Sequence, residues 1–170
     1  MSRFLRPLCG TLALTLFAMP AAAQSATLNA TATVQQGLAP SQVQDLQFGS
    51  VFPGVNKVVS PSDASSGRFR IGGQPNAGVK FSVEVQSTLL REGGTETMSI
   101  AWTGCHSQTN PAGTCSTFVL AAPGAFEVGG TLSGLGELFV FLGGTLTVPV
   151  GQAQGSYSSL VTLTVAYTGS

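Results

Sequence analysis

The residues with usable chemistry in this chain are one histidine, two central cysteines, seven carboxylates and a close pair of arginines. A nucleophilic hydrolase needs a base beside its nucleophile, and His106 is the sole imidazole. It follows Cys105 and precedes Ser107-Gln108-Thr109, a context that predicts an exposed loop residue. The carboxylates Asp45, Asp63, Glu84, Glu92, Glu96, Glu127 and Glu137 are scattered along the chain. A glycosidase-type site would require two of them to converge within about 5–10 Å in a cleft. Arg68 and Arg70 project from one side of an expected strand, where they could meet an acidic ligand or form a solvated face that guards an edge. The glycine-rich stretches around Gly129, Gly134 and Gly143 carry neither the Lys-Ser/Thr of a phosphate-cradling loop nor a dinucleotide fingerprint. They read as hairpin turns and bulges. The leading expectation is therefore a protein that is not an enzyme, with no catalytic residue, metal ligand or cofactor.

Cys105 and Cys115 flank a loop containing Asn110-Pro111-Ala112-Gly113, a strong turn signal. In an oxidising compartment each is the natural partner of the other, and two free thiols are the alternative. A zinc site fits less well, because His106 stands alone and the cysteine spacing is not that of a short zinc-binding pair.

The compartment is suggested by the first residues. Arg3 and Arg6 precede an uncharged apolar run from Pro7 to Pro20, closed by Ala21-Ala22-Ala23. This is the order of a cleavable secretory signal, expected over residues 1–23. The run is shorter than the about 20 residues needed to span a bilayer as a helix, so no stable membrane span is expected in the mature chain. Residues 24–170 are then expected to form a single domain.

The mature chain has five basic residues against seven acidic ones, a net charge of −2 that offers nothing to nucleic acid. Charged residues make up 8% of the sequence, against about 25% for an average domain. A disordered chain is excluded by positive mean hydropathy and low net charge. A small outer-membrane barrel would want aromatic girdles, and the chain has one tryptophan and two tyrosines.

Period-two alternation dominates the elements that would position these residues. Ala26, Leu28, Ala30, Ala32 and Val34 share one face of an expected first strand. After a Gln/Pro/Ser linker, strands are expected near residues 43–49, 55–60 and 68–71. Val79, Phe81, Val83 and Val85 alternate with Lys80, Ser82, Glu84 and Gln86; Met98, Ile100 and Trp102 repeat the pattern. Further strands are expected at residues 117–121 and 137–142, the latter apolar throughout, then near 146–150 and in a final segment over 155–167. No window has helical periodicity. About eight to ten short strands separated by glycine and proline imply an all-β sandwich or barrel.

Leu46-Gln47-Phe48-Gly49, Gly144-Thr145-Leu146-Thr147-Val148, and the ending from Gln154-Gly155-Ser156-Tyr157 to Val165-Ala166-Tyr167 carry a family likeness. With them the chain resembles the secreted bacterial domain-of-unknown-function family four-four-zero-two, which is similar to spore-coat-protein-U-like and archaic chaperone-usher pilin domains. The resemblance implies an immunoglobulin-like, pilin-like β-sandwich and no established activity. It also implies a terminal assembly strand built on Gly155, Val161, Leu163, Val165 and Tyr167. In this chain Tyr167 stands fourth from the end, where pilin-like subunits place their aromatic second from the end.

These readings converge on an exported structural or surface subunit in the periplasm, at the cell surface or outside the cell. Leu28, Ala30, Ala32 and Val34 would lie on a strand that is either donated to a neighbour's sheet or kept in its own. The expected partners are further copies, other subunits and a periplasmic chaperone. The alternatives are a monomeric secreted glycan- or protein-binding module and, third, a hydrolase with a split carboxylate site.

Overall fold

The computed structural model describes residues 24–111, 114–120 and 122–169. The expected signal segment, residues 1–23, and Ala112-Gly113 of the expected turn lie outside the described residues. Contacts divide the chain into two units, Met1–Thr33 and Val34–Ser170. In the first, residues 24–33 form no strand and every side chain is exposed. The alternation over residues 26–34 is therefore not used in any sheet of this chain.

The second unit is all β among the described residues. Its strands are β1 (Ala39–Gln44), β2 (Lys57–Val59), β3 (Gly67–Gly72), β4 (Gly78–Val85), β5 (Thr88–Arg91) and β6 (Thr97–Ser107). They continue with β7 (Ser116–Leu120), β8 (Gly124–Thr131), β9 (Glu137–Thr147), β10 (Tyr157–Ser158) and β11 (Thr162–Tyr167). The larger sheet runs β1-β3-β9-β6-β5-β10, with β2 also paired to β9 and β7 to β6; the smaller runs β11-β4-β8. Every pairing is antiparallel. This is the expected β-sandwich.

Alternation explains the core. Val79, Phe81, Val83 and Val85 on β4 are all 1% exposed or less, while Lys80 and Glu84 between them are exposed. Facing them from the larger sheet are Ile71, Ile100, Trp102, Leu138, Val140, Leu142 and Leu146. Each such side chain contributes about 1.5–3 kcal/mol when fully buried.

The run at residues 138–142 is apolar on both faces because both are covered. Phe139 and Phe141 form a second, outer cluster with Cys105, against which Cys115 packs. The expected Cys105–Cys115 disulfide is present, with Cα atoms 5.6 Å apart. Arg68 lies over the Phe141 ring, its guanidinium carbon 5.8 Å from the centroid.

Several expectations are corrected. The strand expected at 43–49 forms earlier, as β1 over Ala39–Gln44, inside the expected linker. Gly143-Gly144 is not a turn: β9 runs straight through it. A Cβ at Gly143 would meet the Val59 carbonyl, and one at Gly144 would come within 2.8 Å of the Ala101 carbonyl. These glycines allow β2 and β6 to approach β9 closely. Gly129-Gly130 likewise lies inside β8, where a Cβ at Gly130 would sit 2.8 Å from Leu138. Gly130, Gly143 and Gly144 therefore mark crowded points inside strands. The final segment is not one strand either. It breaks after Ser158, so β10 joins the larger sheet and β11 the smaller.

Candidate functional site

Several of the catalytic candidates are held in structural contacts. His106 is a strand residue, not an exposed loop residue: it lies within β6 and continues the inward series of Met98, Ile100 and Trp102. Its ring meets Phe81 edge-on at 5.6 Å and stacks with Phe118 at 6.3 Å. Gly104 makes room for the Phe118 ring, which occupies the place of a Cβ there. Burial among these rings lowers the His106 pKa, because the imidazolium loses hydration.

The arginines are engaged as well. Arg70 bonds Glu137, with Nη2 2.6 Å and Nε 2.7 Å from the same carboxylate oxygen. Arg68 donates to Asn110 Oδ1 at 3.4 Å while stacking on Phe141. Glu96 pairs with Arg91 at 3.1 Å. Its carboxyl is held below the ordinary range by its own backbone N–H and then by Arg91. Glu84 and Glu127 are exposed strand residues of the smaller sheet. Among the described residues no group of three or more His, Cys, Asp or Glu side chains is placed to hold a metal ion.

Besides an open hollow of about 750 Å³ over Thr88, Leu90, Arg91 and residues 158–160, two further concavities lie within the second unit. One, of about 430 Å³, lies beside the disulfide and is lined largely by polar side chains, among them His106, Ser107, Gln108 and Ser116. The other is a cleft of about 400 Å³ on the inward face of the larger sheet. Its floor is a row of inward-facing side chains from four strands of the larger sheet: Phe69, Leu142, Ile100, Trp102 and Leu89. One wall carries Leu46 and Phe48 and the opposite wall is residues 157–161; Asp45 is the one carboxylate in the lining.

Beyond that wall starts β11. It pairs with β4 alone, with Leu163 opposite Val83, Val165 opposite Phe81 and Tyr167 opposite Val79. The β4 partners are buried, while Leu163, Val165 and Tyr167 are only half-buried. Val161, expected in the same strand, lies just before it in the cleft wall, and Gly155 lies in the turn before β10, packed on Arg91. At the far end the Tyr167 hydroxyl donates to the Gln36 carbonyl at 2.6 Å and accepts from the Gln74 N–H at 2.8 Å.

The segment expected to pair with a sheet forms no strand over residues 24–33. Leu28 is 93% and Val34 96% exposed, and Ala30 and Ala32 are exposed with them. The cleft was not legible in the sequence, since its floor residues come from four separate strands. The half-burial of β11 had a visible trace, the uncharged alternation of Leu163, Val165 and Tyr167.

No curated protein matches this sequence. The profile of a domain of unknown function, DUF4402, matches residues 17–167, nearly the whole chain, and the protein belongs to that family.

Proposed function

We propose that this protein is an exported, non-enzymatic structural subunit that assembles head to tail by donating residues 26–34 to a neighbour. The observation that carries this reading is the exposure of an alternating apolar segment that no sheet of its own chain uses. Burying Leu28 and Val34 fully on a partner would contribute about 1.5–3 kcal/mol each. Ala30 and Ala32 are small enough to let two backbones pair closely. An extended segment with free N–H and C=O groups adds itself to a sheet edge through main-chain hydrogen bonds. Donor and acceptor then lie on different surfaces, and such contacts build open fibres. Export is supported by the charged, apolar and small-residue order of residues 1–23 and by the disulfide, which persists where the environment is oxidising. On this reading the partners are other copies or subunits, with a periplasmic chaperone guarding the apolar surfaces before assembly.

The test is a double substitution, Leu28→Asp with Val34→Asp, in the full chain, followed by sedimentation across a concentration series. The parent is expected to form concentration-dependent multimers and the variant to remain monomeric with an unchanged melting temperature. Identical distributions for the two would contradict the reading. The concavity beside the disulfide, lined by His106, Ser107, Gln108 and Ser116 among others, favours a second reading, a monomeric binding module for glycan or protein, which would take precedence in that event.

A further inference from the structure

We infer that the hollow beside the disulfide is a binding site for a neutral sugar, with the His106 imidazole as its central hydrogen-bonding group. This rests on the second reading above, a binding role, which it narrows to one site and one ligand class, and it is independent of how copies assemble.

The first support is that the hollow is tied together on several sides. Its lining draws on both sheets: His106 and Ser116 are paired across β6 and β7, Leu138 stands on β9, and Thr131 ends β8 of the smaller sheet. The Gln108 side-chain amide donates to the Thr131 carbonyl at 3.0 Å, joining the end of β6 to the end of β8. The disulfide from Cys105 to Cys115 holds the neighbours of Cys115, Thr114 and Ser116, against β6. A site held by such ties loses little freedom when it is filled. Its volume of about 430 Å³ lies near the small end of the range for ligand clefts, about 300–1,000 Å³, so it takes a compact molecule.

The second support is the state of the imidazole. Phe81 and Phe118 fix the ring from two sides, and its Cε1 lies against Gly130, where a Cβ would stand 3.8 Å away. Neither ring nitrogen has a hydrogen-bond partner among the described residues, and neither is shut off from solvent. Desolvation is the one cause of its lowered pKa, with no contribution from a neighbouring charge or hydrogen bond. Above its ordinary value the ring is neutral, with one N–H donor and one bare nitrogen acceptor. A rigidly held donor and acceptor on the wall of a hollow are what a ligand hydroxyl pairs with.

The third support is the lining, which selects the ligand class. Among the described residues it holds no carboxylate, ammonium or guanidinium group. An ion entering it would give up hydration without meeting a counter-charge. Thr114, Ser116 and Thr131 carry hydroxyls, groups that both donate and accept as sugar hydroxyls do. The Gln108 amide, oriented by its bond to Thr131, keeps its own oxygen as an acceptor. Leu138 and the threonine methyl groups add apolar surface for the C–H face of a pyranose ring. Compactness, absence of charge and a mixture of hydroxyl and C–H surface together describe a neutral monosaccharide unit.

His106 is the sole histidine of the chain, so its ring protons are the only imidazole signals in a proton NMR spectrum and report occupancy of the hollow. The experiment titrates the full chain at about pH 7.5, above the ordinary histidine value, with the methyl glycosides of glucose, galactose, mannose and N-acetylglucosamine. The uronate and amino-sugar counterparts of whichever binds serve as charged probes. The expected result is a saturable shift of the His106 signals in the millimolar range with at least one neutral glycoside, and binding weaker by more than about ten-fold for both charged counterparts. Thr114→Val and Ser116→Ala, at exposed positions, should each weaken binding about three- to ten-fold without moving the melting temperature. His106→Phe keeps a ring between Phe81 and Phe118 and should abolish saturation transfer to the glycoside. A charged counterpart that binds as tightly, with the same His106 shift, would overturn the ligand class and leave a binding role. Glycoside binding that leaves the His106 signals in place, or that survives Thr114→Val and Ser116→Ala unchanged, would overturn the site and leave a sugar-binding protein. Silence of every glycoside and every charged sugar would overturn the inference together with the glycan-binding reading on which it rests, and sedimentation of the same samples reads assembly separately.

Discussion

Removing the disulfide should cost the fold a definite amount, and the structure separates its two parts. Cys105 and Cys115 close a loop with a sequence separation of 10. In the chain-entropy description, opening a loop of that size releases the unfolded chain by about 2.7 kcal/mol at 25 °C, or roughly 80-fold in the folding equilibrium. Cys105 is also 3% exposed and packs with Phe139 and Phe141, so replacing its sulfur removes a contact worth about 0.8 kcal/mol, comparable to a methylene. Reducing the parent protein keeps both sulfurs and loses only the cross-link; the Cys105→Ala, Cys115→Ala variant loses both. Urea unfolding of the oxidised parent, the reduced parent and the variant should therefore give a stepwise fall, the first step about 2.7 kcal/mol and the second smaller. The reasoning is refuted if reduction changes stability by less than about 0.5 kcal/mol, or if the variant is as stable as the oxidised parent.

Other expectations follow from the same coordinates. Phe81 is 1% exposed beneath His106 and Phe118, so Phe81→Ala should cost about 3–5 kcal/mol in urea unfolding. Burial lowers the His106 pKa below 6.5, so below that pH the unfolded chain binds the extra proton first. Stability should then fall as pH drops from about 6.5 through the folded-state value and level off beneath it, and His106→Gln should remove this component from the pH profile of the melting temperature. Gly136 has φ +75°, and a Cβ there would meet the Gly73 carbonyl, so Gly136→Ala should cost more than about 1 kcal/mol, read by thermal or urea unfolding. The Arg70–Glu137 pair is part-exposed, and Glu137→Gln should change stability by no more than about 1 kcal/mol.

Local alternation was sufficient to locate the best strands and their buried faces. Val79 to Val85 and Met98 to Trp102 could be read from period two alone, because one face of each meets the core and the other meets water. The glycines could not be read that way. Gly143, Gly144 and Gly130 look like turns in sequence, yet they sit inside strands where another strand passes too close for a side chain, a requirement set by residues 8 or more positions away along the chain (Leu138 for Gly130). β8 went unread for the same reason, and β5 because its four residues are too short to show a period. His106 looked like loop beside a cysteine, since nothing nearby in sequence announces Phe81 and Phe118. The candidate site was half legible. Its segment, Leu28 to Val34, and its edge, Leu163 to Tyr167, each advertise an uncharged alternation. The floor of the cleft is assembled from β3, β5, β6 and β9 and exists only once the larger sheet has formed.

The account stands or falls on whether residues 26–34 join one copy to another. Light scattering of the full chain and of the chain lacking residues 26–34, each across a wide concentration range, measures this directly. The account predicts a mass that rises with concentration for the full chain and a constant monomer mass for the deleted chain, with the cooperative melt retained. A full chain that remains monomeric throughout, or a deleted chain that multimerises just as the parent does, would contradict it.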